Sequence, residues 1–265
     1  MLNSIFLLLA TVATGVLYFV FPTISPWWIA PILLGCFVAV VVLYILMLLV
    51  WSFFLPKKKK ITKPSCACAA MIWVTMAWLM QVLRVRVKLT GLEKLPDEPC
   101  LWVSNHRSDF DPMTVLAVLK SRRIAYISKE SNFKIPIVGN FIHHAGFLAI
   151  DRGNGMRAMR TLKQAAEMMK TEGIDVGIYP EGTRSKTGEL LRFKSGAFLL
   201  AKKAEAPIAV LTTKGTDCIS KNFPFRSTTV EINILTVIDK ETVMESEREE
   251  LTERVRSIIE EDLKK

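Results

Sequence analysis

Charged side chains are missing from the first 56 residues of this 265-residue chain, which contain no Lys, Arg, Asp or Glu. All 35 basic and all 25 acidic residues lie beyond Pro56, so the net charge of +10 belongs entirely to the rest of the chain. A basic body beside an uncharged apolar stem favours an anionic partner. Because the stem already suits a bilayer, anionic lipid is a better partner than nucleic acid.

Metal-binding and disulfide patterns are also scarce. The five cysteines include Cys66-Ala67-Cys68, which lacks the spacing of a zinc knuckle or of a CxxC redox pair. Two of the three histidines are the neighbours His143-His144, which have no carboxylate at ligand spacing and are interpreted as structural or interfacial. We therefore predict no metal site. The thiols are interpreted as reduced and buried, which fits a basic body that faces the cytosol.

Two apolar runs occupy the uncharged stem. Residues 5–21 form the first run and residues 27–55 the second, with a turn bearing two prolines between them. About twenty apolar residues span a bilayer, and no basic side chain precedes the first run as it would in a signal peptide. The sequence therefore predicts a transmembrane helical hairpin over residues 1–56.

A lysine cluster follows the hairpin at residues 57–60, with Lys63 beside it. The positive-inside rule places such a cluster on the cytoplasmic side. We therefore expect an integral membrane protein with its body on the cytoplasmic face of the cell membrane, or of the endoplasmic reticulum in a eukaryote. Residues 66–83 are apolar again, but a third crossing would put the body outside. An interfacial helix is the preferred interpretation, which makes residues 57–83 a basic linker and interfacial helix.

The pattern changes to an α/β alternation over residues 84–265. Strands are predicted at 85–89, 100–104, 124–127, 146–152, 175–179, 208–212 and 228–238, and helices at 112–120, 154–171, 195–203 and 245–263. This order predicts an α/β domain with a mixed, largely parallel sheet flanked by helices.

The first motif with chemical meaning runs from Asn105 through His106 to Asp111 and Pro112, between a strand and a helix. Histidine can take a proton from an alcohol near neutral pH, and a carboxylate on its second ring nitrogen fixes the tautomer. By spacing alone, Asp109 is as good a partner as Asp111. The alternative is that Asp111 caps the helix that Pro112 opens.

Further polar groups lie at the ends of three other predicted elements. Glu181, Gly182, Thr183 and Arg184 come after an apolar strand, where glycine permits close backbone approach and arginine offers a fork for a phosphate. Arg152 ends another strand. Lys194 and Ser195 precede a helix whose N-terminus would favour an anion.

Taken together, the segments resemble the glycerophospholipid acyltransferases, specifically the bacterial-type 1-acylglycerol-3-phosphate acyltransferases. The resemblance covers about residues 66–240 and rests on Asn105-His106 with Asp111, Gly146 with Asp151-Arg152, the run from Tyr179 to Ser185, and Ala206-Pro207-Ile208, in that order. A second proline that often follows in the family is replaced here within Ala209-Val210-Leu211. The hairpin lies outside the resemblance.

The resemblance implies the glycerolipid acyltransferase fold and a role for each matching residue. His106 matches the family's base and Asp111 its partner. Arg152 matches a residue that binds the phosphate of the acceptor. Acceptor binding is also implied for Glu181, Gly182, Thr183 and Arg184. Asn105, Lys194 and Ser195 are additional site candidates.

The implied reaction moves a fatty acyl group from acyl-CoA, or from acyl carrier protein, to the sn-2 hydroxyl of 1-acylglycerol-3-phosphate in phospholipid biosynthesis. The expected partners are the bilayer, a lysophospholipid acceptor and the acyl donor as co-substrate, with no cofactor, no metal and no nucleic acid. The alternatives are another lysophospholipid or a lyso-aminolipid as acceptor, a His-Asp thioesterase or lipid hydrolase, and a lipid-binding protein without catalysis.

Overall fold

The computed structural model describes residues 2–56, 63–185 and 187–265. The chain divides at residue 58 into two compact units, Met1–Lys58 and Lys59–Lys265. The lysine cluster at residues 57–60 lies outside the described residues, so the topology signal assigned to it stays a prediction.

The first unit consists of two apolar helices, α1 (Leu2–Val20) and α2 (Ile29–Phe54), with a short 3-10 helix at Pro26–Trp28 between them. The rings of Phe6 and Tyr44 lie 5.4 Å apart between the two helices. Leu2–Val20 and Pro26–Phe54 are long and apolar enough to cross a membrane by length and composition. The prediction of two apolar helices in this segment is confirmed.

The second unit is built on one seven-stranded sheet with the order β1-β7-β6-β2-β5-β3-β4. The strands are β1 (Val85–Thr90), β2 (Leu101–Ser104), β3 (Ile124–Lys129), β4 (Leu148–Ile150), β5 (Asp175–Ile178), β6 (Ile208–Lys214) and β7 (Thr228–Ile238). Neighbouring strands are parallel except β6 and β7, which are antiparallel. The predicted mixed, largely parallel sheet is confirmed.

Helices cover both faces of the sheet. On one face, α3 (Cys66–Val82) packs against α4 (Phe110–Val118) and α5 (Val138–His144). The other face carries α6 (Gly155–Glu172), α7 (Gly196–Ala204), α9 (Lys240–Glu245) and α10 (Arg248–Leu263), while α8 (Ile219–Asn222) is a short helix between β6 and β7. The main apolar core lies between β2, β5, β6 and the helices α6, α7 and α10.

Sheet direction decides where polar loops can meet. The strands β6, β2, β5, β3 and β4 run one way, so their carboxyl ends lie along one edge of the sheet, which we call the carboxyl edge. The strands β1 and β7 run the opposite way and begin at that edge. The central strand of the seven is β2, and all four of its residues are buried. Loops after β2 therefore emerge in the middle of the edge.

Two helices and the burial of the thiols differ from the sequence predictions. The helix α5 follows a β3 loop that had no predicted helix, since seven residues are too few to show a helical period. The predicted helix 245–263 is interrupted at Ser246 and Glu247, which have extended backbone angles and separate α9 from α10. All five thiols are free, but only Cys68 and Cys100 are buried, so the expectation of general burial was wrong for the others.

The helix α3 belongs to the second unit and packs on α4, α5 and β1. Ser65 caps its N-terminus by accepting a hydrogen bond from the Cys68 amide at 3.3 Å. It has 17 residues and is therefore shorter than α1 and α2. Its packing accounts for an apolar sequence without a third crossing, and contact with lipid headgroups stays a prediction.

Candidate active site

His106 lies two residues beyond β2, in the centre of the carboxyl edge. Its side chain is 14 % exposed, so it is partly shielded yet reachable from solvent. The carboxyl edge of an α/β sheet is where such folds place ligands. The position that sequence analysis assigned to a catalytic base is thus at a suitable place in the fold.

The imidazole of His106 is oriented by Asp111. Its Nδ1 lies 2.8 Å from Asp111 Oδ2, and the Asp111 side chain is fully buried. A carboxylate can only accept, so Nδ1 carries the proton and Nε2 keeps a lone pair. Among the described residues, Nε2 makes no hydrogen bond. This arrangement leaves a basic nitrogen available to a substrate hydroxyl.

Asp111 is held by three further donors. The amides of Arg107 and Ser108 each donate to Oδ2 at 2.8 Å, and the Thr216 hydroxyl donates to Oδ1. Such a full set of donors compensates the burial of a carboxylate. The helix α4 begins at Phe110, so Asp111 lies inside its first turn and does not act as the N-cap.

Asp109 has a different partner. Its carboxylate lies 2.6 Å from Arg184 Nη1, and both side chains are more than half exposed. The geometry therefore separates the two carboxylates that spacing left open: Asp111 pairs with His106, and Asp109 pairs with Arg184.

Glu181 connects the loop after β5 to the loop after β2. Its Oε1 accepts from the His106 amide at 2.6 Å, and its Oε2 accepts from the Leu191 amide at 3.1 Å. The Ser185 amide donates to the His106 carbonyl at 2.9 Å, which adds a second tie. Burial raises the pKa of the Glu181 carboxyl, although the two amides act in the opposite direction.

An aromatic stack supports the His106 ring. The Tyr179 ring lies parallel to it, with centroids 4.2 Å apart and planes 16° apart. The Tyr126 ring lies parallel to that of Tyr179, with centroids 5.6 Å apart and planes 7° apart. Gly177 makes room for Tyr126, because a Cβ there would collide with the Tyr126 ring. The stack fixes the imidazole plane from one side while Asp111 fixes its rotation.

Gly182 and Lys194 are brought together beside this stack. Gly182 has a φ of 70°, a left-handed conformation that favours glycine, and its amide donates to the Tyr179 carbonyl at 3.0 Å. A Cβ on Gly182 would lie 3.0 Å from Lys194 Nζ. The exposed Thr183 and Arg184 follow Gly182 in the same turn. Lys194 and Arg184 thus bring two positive charges to one loop cluster.

Arg152 lies further from His106. It follows β4, which is three strands from β2, so sheet spacing puts their ends roughly 14 Å apart. Desolvation lowers the pKa of Arg152, but an arginine with this shift still carries its charge at neutral pH. The structure records no ion pair for it within the described ranges.

Asn105 and Ser195 have structural surroundings. The Asn105 amide donates from Nδ2 to the Thr213 carbonyl at 2.9 Å, and its Oδ1 accepts from the Thr213 amide at 2.8 Å. Both ends of this buried side chain therefore join β2 to β6. Ser195 occupies the N-cap position of α7 but its side chain makes no cap hydrogen bond.

The family model for acyltransferases, described simply as "Acyltransferase", matches residues 86–214, a range that contains His106, Asp111 and Glu181. The chain belongs to the acyltransferase family.

Several curated relatives of this chain share one name, 1-acyl-sn-glycerol-3-phosphate acyltransferase. The chloroplastic protein BAT2 of Brassica napus is 39 % identical over 49 % of this chain and 38 % of its own length. The human beta form is 38 % identical over 53 % of this chain and 51 % of its own. The Saccharomyces cerevisiae protein is 30 % identical over 72 % of this chain and 66 % of its own. The chain thus spans between about a third and two thirds of these relatives.

A solved structure extends the likeness over the whole acyltransferase. The 1-acyl-sn-glycerophosphate acyltransferase PlsC from Thermotoga maritima matches with a TM-score of 0.64 and 25 % identity. The match covers 99 % of this chain and 96 % of that protein.

Two residues of the candidate site are not predicted from the sequence. Thr216, which donates to Asp111, lies 105 residues away in the chain, and no local signal points to it. Tyr179 opens the motif that runs to Ser185, but the sequence assigns no role to it. Its position directly before Pro180 and Glu181, at the end of an apolar strand, was the available signal.

Proposed function

We propose that this chain is a membrane-bound 1-acyl-sn-glycerol-3-phosphate O-acyltransferase. It would move a fatty acyl group from acyl-CoA, or from acyl carrier protein, to the sn-2 hydroxyl and release phosphatidic acid into the bilayer. The observation that carries the proposal is His106 with Nδ1 on a buried carboxylate and Nε2 open at the carboxyl edge. The shared name of the relatives supports the acceptor.

The chemical step needs one base and no enzyme nucleophile. His106 Nε2 takes the proton of the acceptor hydroxyl while the hydroxyl oxygen attacks the thioester carbonyl. The carbon–sulfur bond then breaks, and the imidazolium returns its proton to the leaving thiolate. Asp111 stabilises the imidazolium between these two transfers, and the Tyr179 ring supports its plane.

The acceptor phosphate is assigned to the cations of the same edge. Arg184 is held by Asp109 at 2.6 Å, but both groups are exposed, and exposed pairs contribute only about 0–1 kcal/mol. A phosphate can therefore take over the guanidinium fork, with bidentate geometry that one Asp109 contact does not use. Lys194, beside Gly182, adds a second charge, and Arg152 is proposed to contact the phosphate from the β4 side.

Product analysis with a lysolipid panel tests the proposal. The full chain, reconstituted in vesicles, is given radiolabelled acyl-CoA and one of several lysolipids that differ in headgroup. We expect labelled phosphatidic acid from the phosphate monoester acceptor at a rate well above that for choline or ethanolamine headgroups. Labelled fatty acid without new phospholipid would identify a hydrolase instead. Equal rates for all headgroups would contradict the phosphate assignment.

A variant sharpens the acceptor assignment. Arg184→Ala is expected to raise KM for the phosphate acceptor about tenfold or more, because a charge-assisted hydrogen bond is lost, and to lower kcat less. Arg157→Ala, at an exposed cation of α6, is the control and should leave both constants nearly unchanged for an acceptor in detergent micelles.

A further inference from the structure

Large apolar side chains that face solvent are concentrated at the carboxyl edge of the second unit. Nine of them are exposed among the described residues of this unit: Val82, Leu92, Ile135, Val138, Met156, Met159, Phe223, Phe225 and Met244. Seven lie in segments at the carboxyl edge. The exceptions are Leu92 and Met244, which follow the carboxyl ends of β1 and β7 at the opposite edge. A random scatter of exposed apolar side chains needs no explanation, but this asymmetry does.

Phe225 is the most exposed of these side chains, at 87 %. It lies in the loop before β7, the strand that pairs with β1, and β1 follows Val82 at the end of α3. The guanidinium of Arg84 donates from Nη1 to the carbonyls of Pro224 and Phe225, at 3.1 and 3.2 Å. Arg84 therefore braces the loop main chain, while the Phe225 ring projects into solvent.

The other end of the edge carries Met156 and Met159, which are 70 % and 41 % exposed in the first turns of α6. Ile135 lies in the segment after β3, the strand next to β4, and Val138 is the first residue of α5. Moving such exposed methionine and branched aliphatic side chains from water into an apolar environment lowers the free energy.

Cations surround these side chains in α6. Arg157, Arg160 and Lys163 occupy its first half, and the first turn has no acidic residue. Positive side chains at a helix N-terminus oppose the helix dipole and so do not stabilise the helix itself. Arg160 and Lys163 make no ion pair within the described part of the chain, whereas Arg157 contacts Asp151 at 3.4 Å. This charge pattern fits an anionic surface outside the protein.

His106 lies between the two apolar groups. It follows the central strand, Val82 precedes the edge strand β1, and Met156 follows the edge strand β4. Each edge strand is three strands, roughly 14 Å, from β2, and Phe225 precedes β7, which is two strands, roughly 10 Å, from β2. A surface that touched both groups would therefore extend along the part of the edge that carries His106.

We propose that the carboxyl edge docks on an anionic lipid bilayer through two contacts, Phe225 with Val82 on one side and the Met156–Met159 face with its cations on the other. The apolar side chains enter the interface and the cations of α6 contact lipid phosphates. The acceptor then presents its headgroup to His106 while its acyl chain stays in the bilayer. This inference deepens the proposed function, and its kinetic test rests on that function.

Hydrogen exchange tests docking without any activity. The full chain is compared in detergent, in vesicles of phosphatidylcholine, and in vesicles of equal parts phosphatidylcholine and phosphatidylglycerol. We expect amides of residues 152–163 and 221–227 to exchange severalfold more slowly in the anionic vesicles, with no such change in the loop that contains Leu92. Equal exchange of these segments in all three environments would overturn the proposal, even if the acyltransferase activity were confirmed.

Three serine variants give the kinetic test, and two of them, Met156→Ser and Met244→Ser, form a matched pair. Met156→Ser and Phe225→Ser should each raise the apparent KM for a long-chain acceptor in anionic vesicles severalfold, and leave rates on a short-chain, water-soluble acceptor unchanged. Met244→Ser, at the opposite edge, should change neither. Equal effects of Met156→Ser and Met244→Ser would contradict the proposal. A defect seen only with acyl carrier protein as donor would assign the surface to that acidic protein instead of lipid.

Discussion

At the scale of single residues, the start of α4 decides which carboxylate serves His106. Because the helix begins at Phe110, Asp111 lies in its first turn and points back over the loop, where the amides of Arg107 and Ser108 converge on the same oxygen that His106 contacts. Asp109 stays outside the turn and reaches Arg184. Asp109 and Asp111 are only two residues apart, but Asp111 contacts the imidazole of His106 and Asp109 contacts the guanidinium of Arg184.

The variants Asp111→Asn and Asp109→Asn test this division. Asparagine at 111 offers an amide that no longer stabilises the imidazolium and permits the wrong tautomer, so we expect kcat to fall about a thousandfold. Asparagine at 109 should leave kcat within about threefold, since only an exposed ion pair is lost. Steady-state kinetics with the phosphate acceptor measure both. Similar losses in the two variants would contradict the pairing.

The aromatic stack makes a second prediction for single residues. The Tyr179 hydroxyl is buried and makes no hydrogen bond of ordinary geometry to the residues that the structure describes, so the ring is the part that supports His106. Tyr179→Phe should keep kcat within about twofold. Tyr179→Leu should lower kcat about tenfold with little change in KM, because stacking on an imidazolium is lost. A large loss in Tyr179→Phe would show that the hydroxyl matters instead.

The sequence predicts part of this site and leaves part of it open. Strand and turn signals located His106, and spacing reduced its partner to two carboxylates. The family resemblance then favoured Asp111. Thr216 stayed hidden because a contact over 105 residues depends on how β6 lies beside β2, which no local pattern specifies.

At the scale of elements, Glu181 holds the loop after β5 to the loop after β2 through the amides of His106 and Leu191. Burial raises the pKa of its carboxyl from 4.5, so the folded protein holds this proton more tightly than the unfolded chain. The stability that this group contributes is present at pH values below 4.5 and is lost as the pH rises through the raised pKa.

The variant Glu181→Gln removes this titration. Thermal unfolding of the wild type and the variant is measured in detergent from pH 4 to pH 7, in steps of about one unit. We expect the melting temperature of the variant to rise relative to that of the wild type as the pH increases. A difference that stayed constant or moved the other way would contradict the account of Glu181.

The limits of prediction also differ between elements. The long amphipathic helix α6 and the alternating strand β1 are predictable from the spacing of their apolar residues. The helix α5 is too short to show such a period. The antiparallel pairing of β6 with β7 was equally open, because the short segment between them, with α8, has the composition of a loop as well as of a helix.

At the scale of the whole molecule, two apolar helices precede a basic α/β unit. Two crossings return the chain to the side from which it started. We therefore expect a tag at the N-terminus and a tag at the C-terminus to be digested together when protease is added to one side of sealed vesicles. Digestion of only one tag would indicate an odd number of crossings and would reopen α3 as a third span.

The central claim is acyl transfer with His106 as the base, and one assay tests it most directly. The full chain and its His106→Ala variant are reconstituted in vesicles with radiolabelled acyl-CoA and 1-acylglycerol-3-phosphate, and labelled phosphatidic acid is measured over time. Removing a general base without a substitute is expected to lower the rate about a thousandfold, while hydrogen exchange confirms that the variant is folded. Phosphatidic acid formed by a folded His106→Ala protein at a rate near that of the wild type would contradict the account.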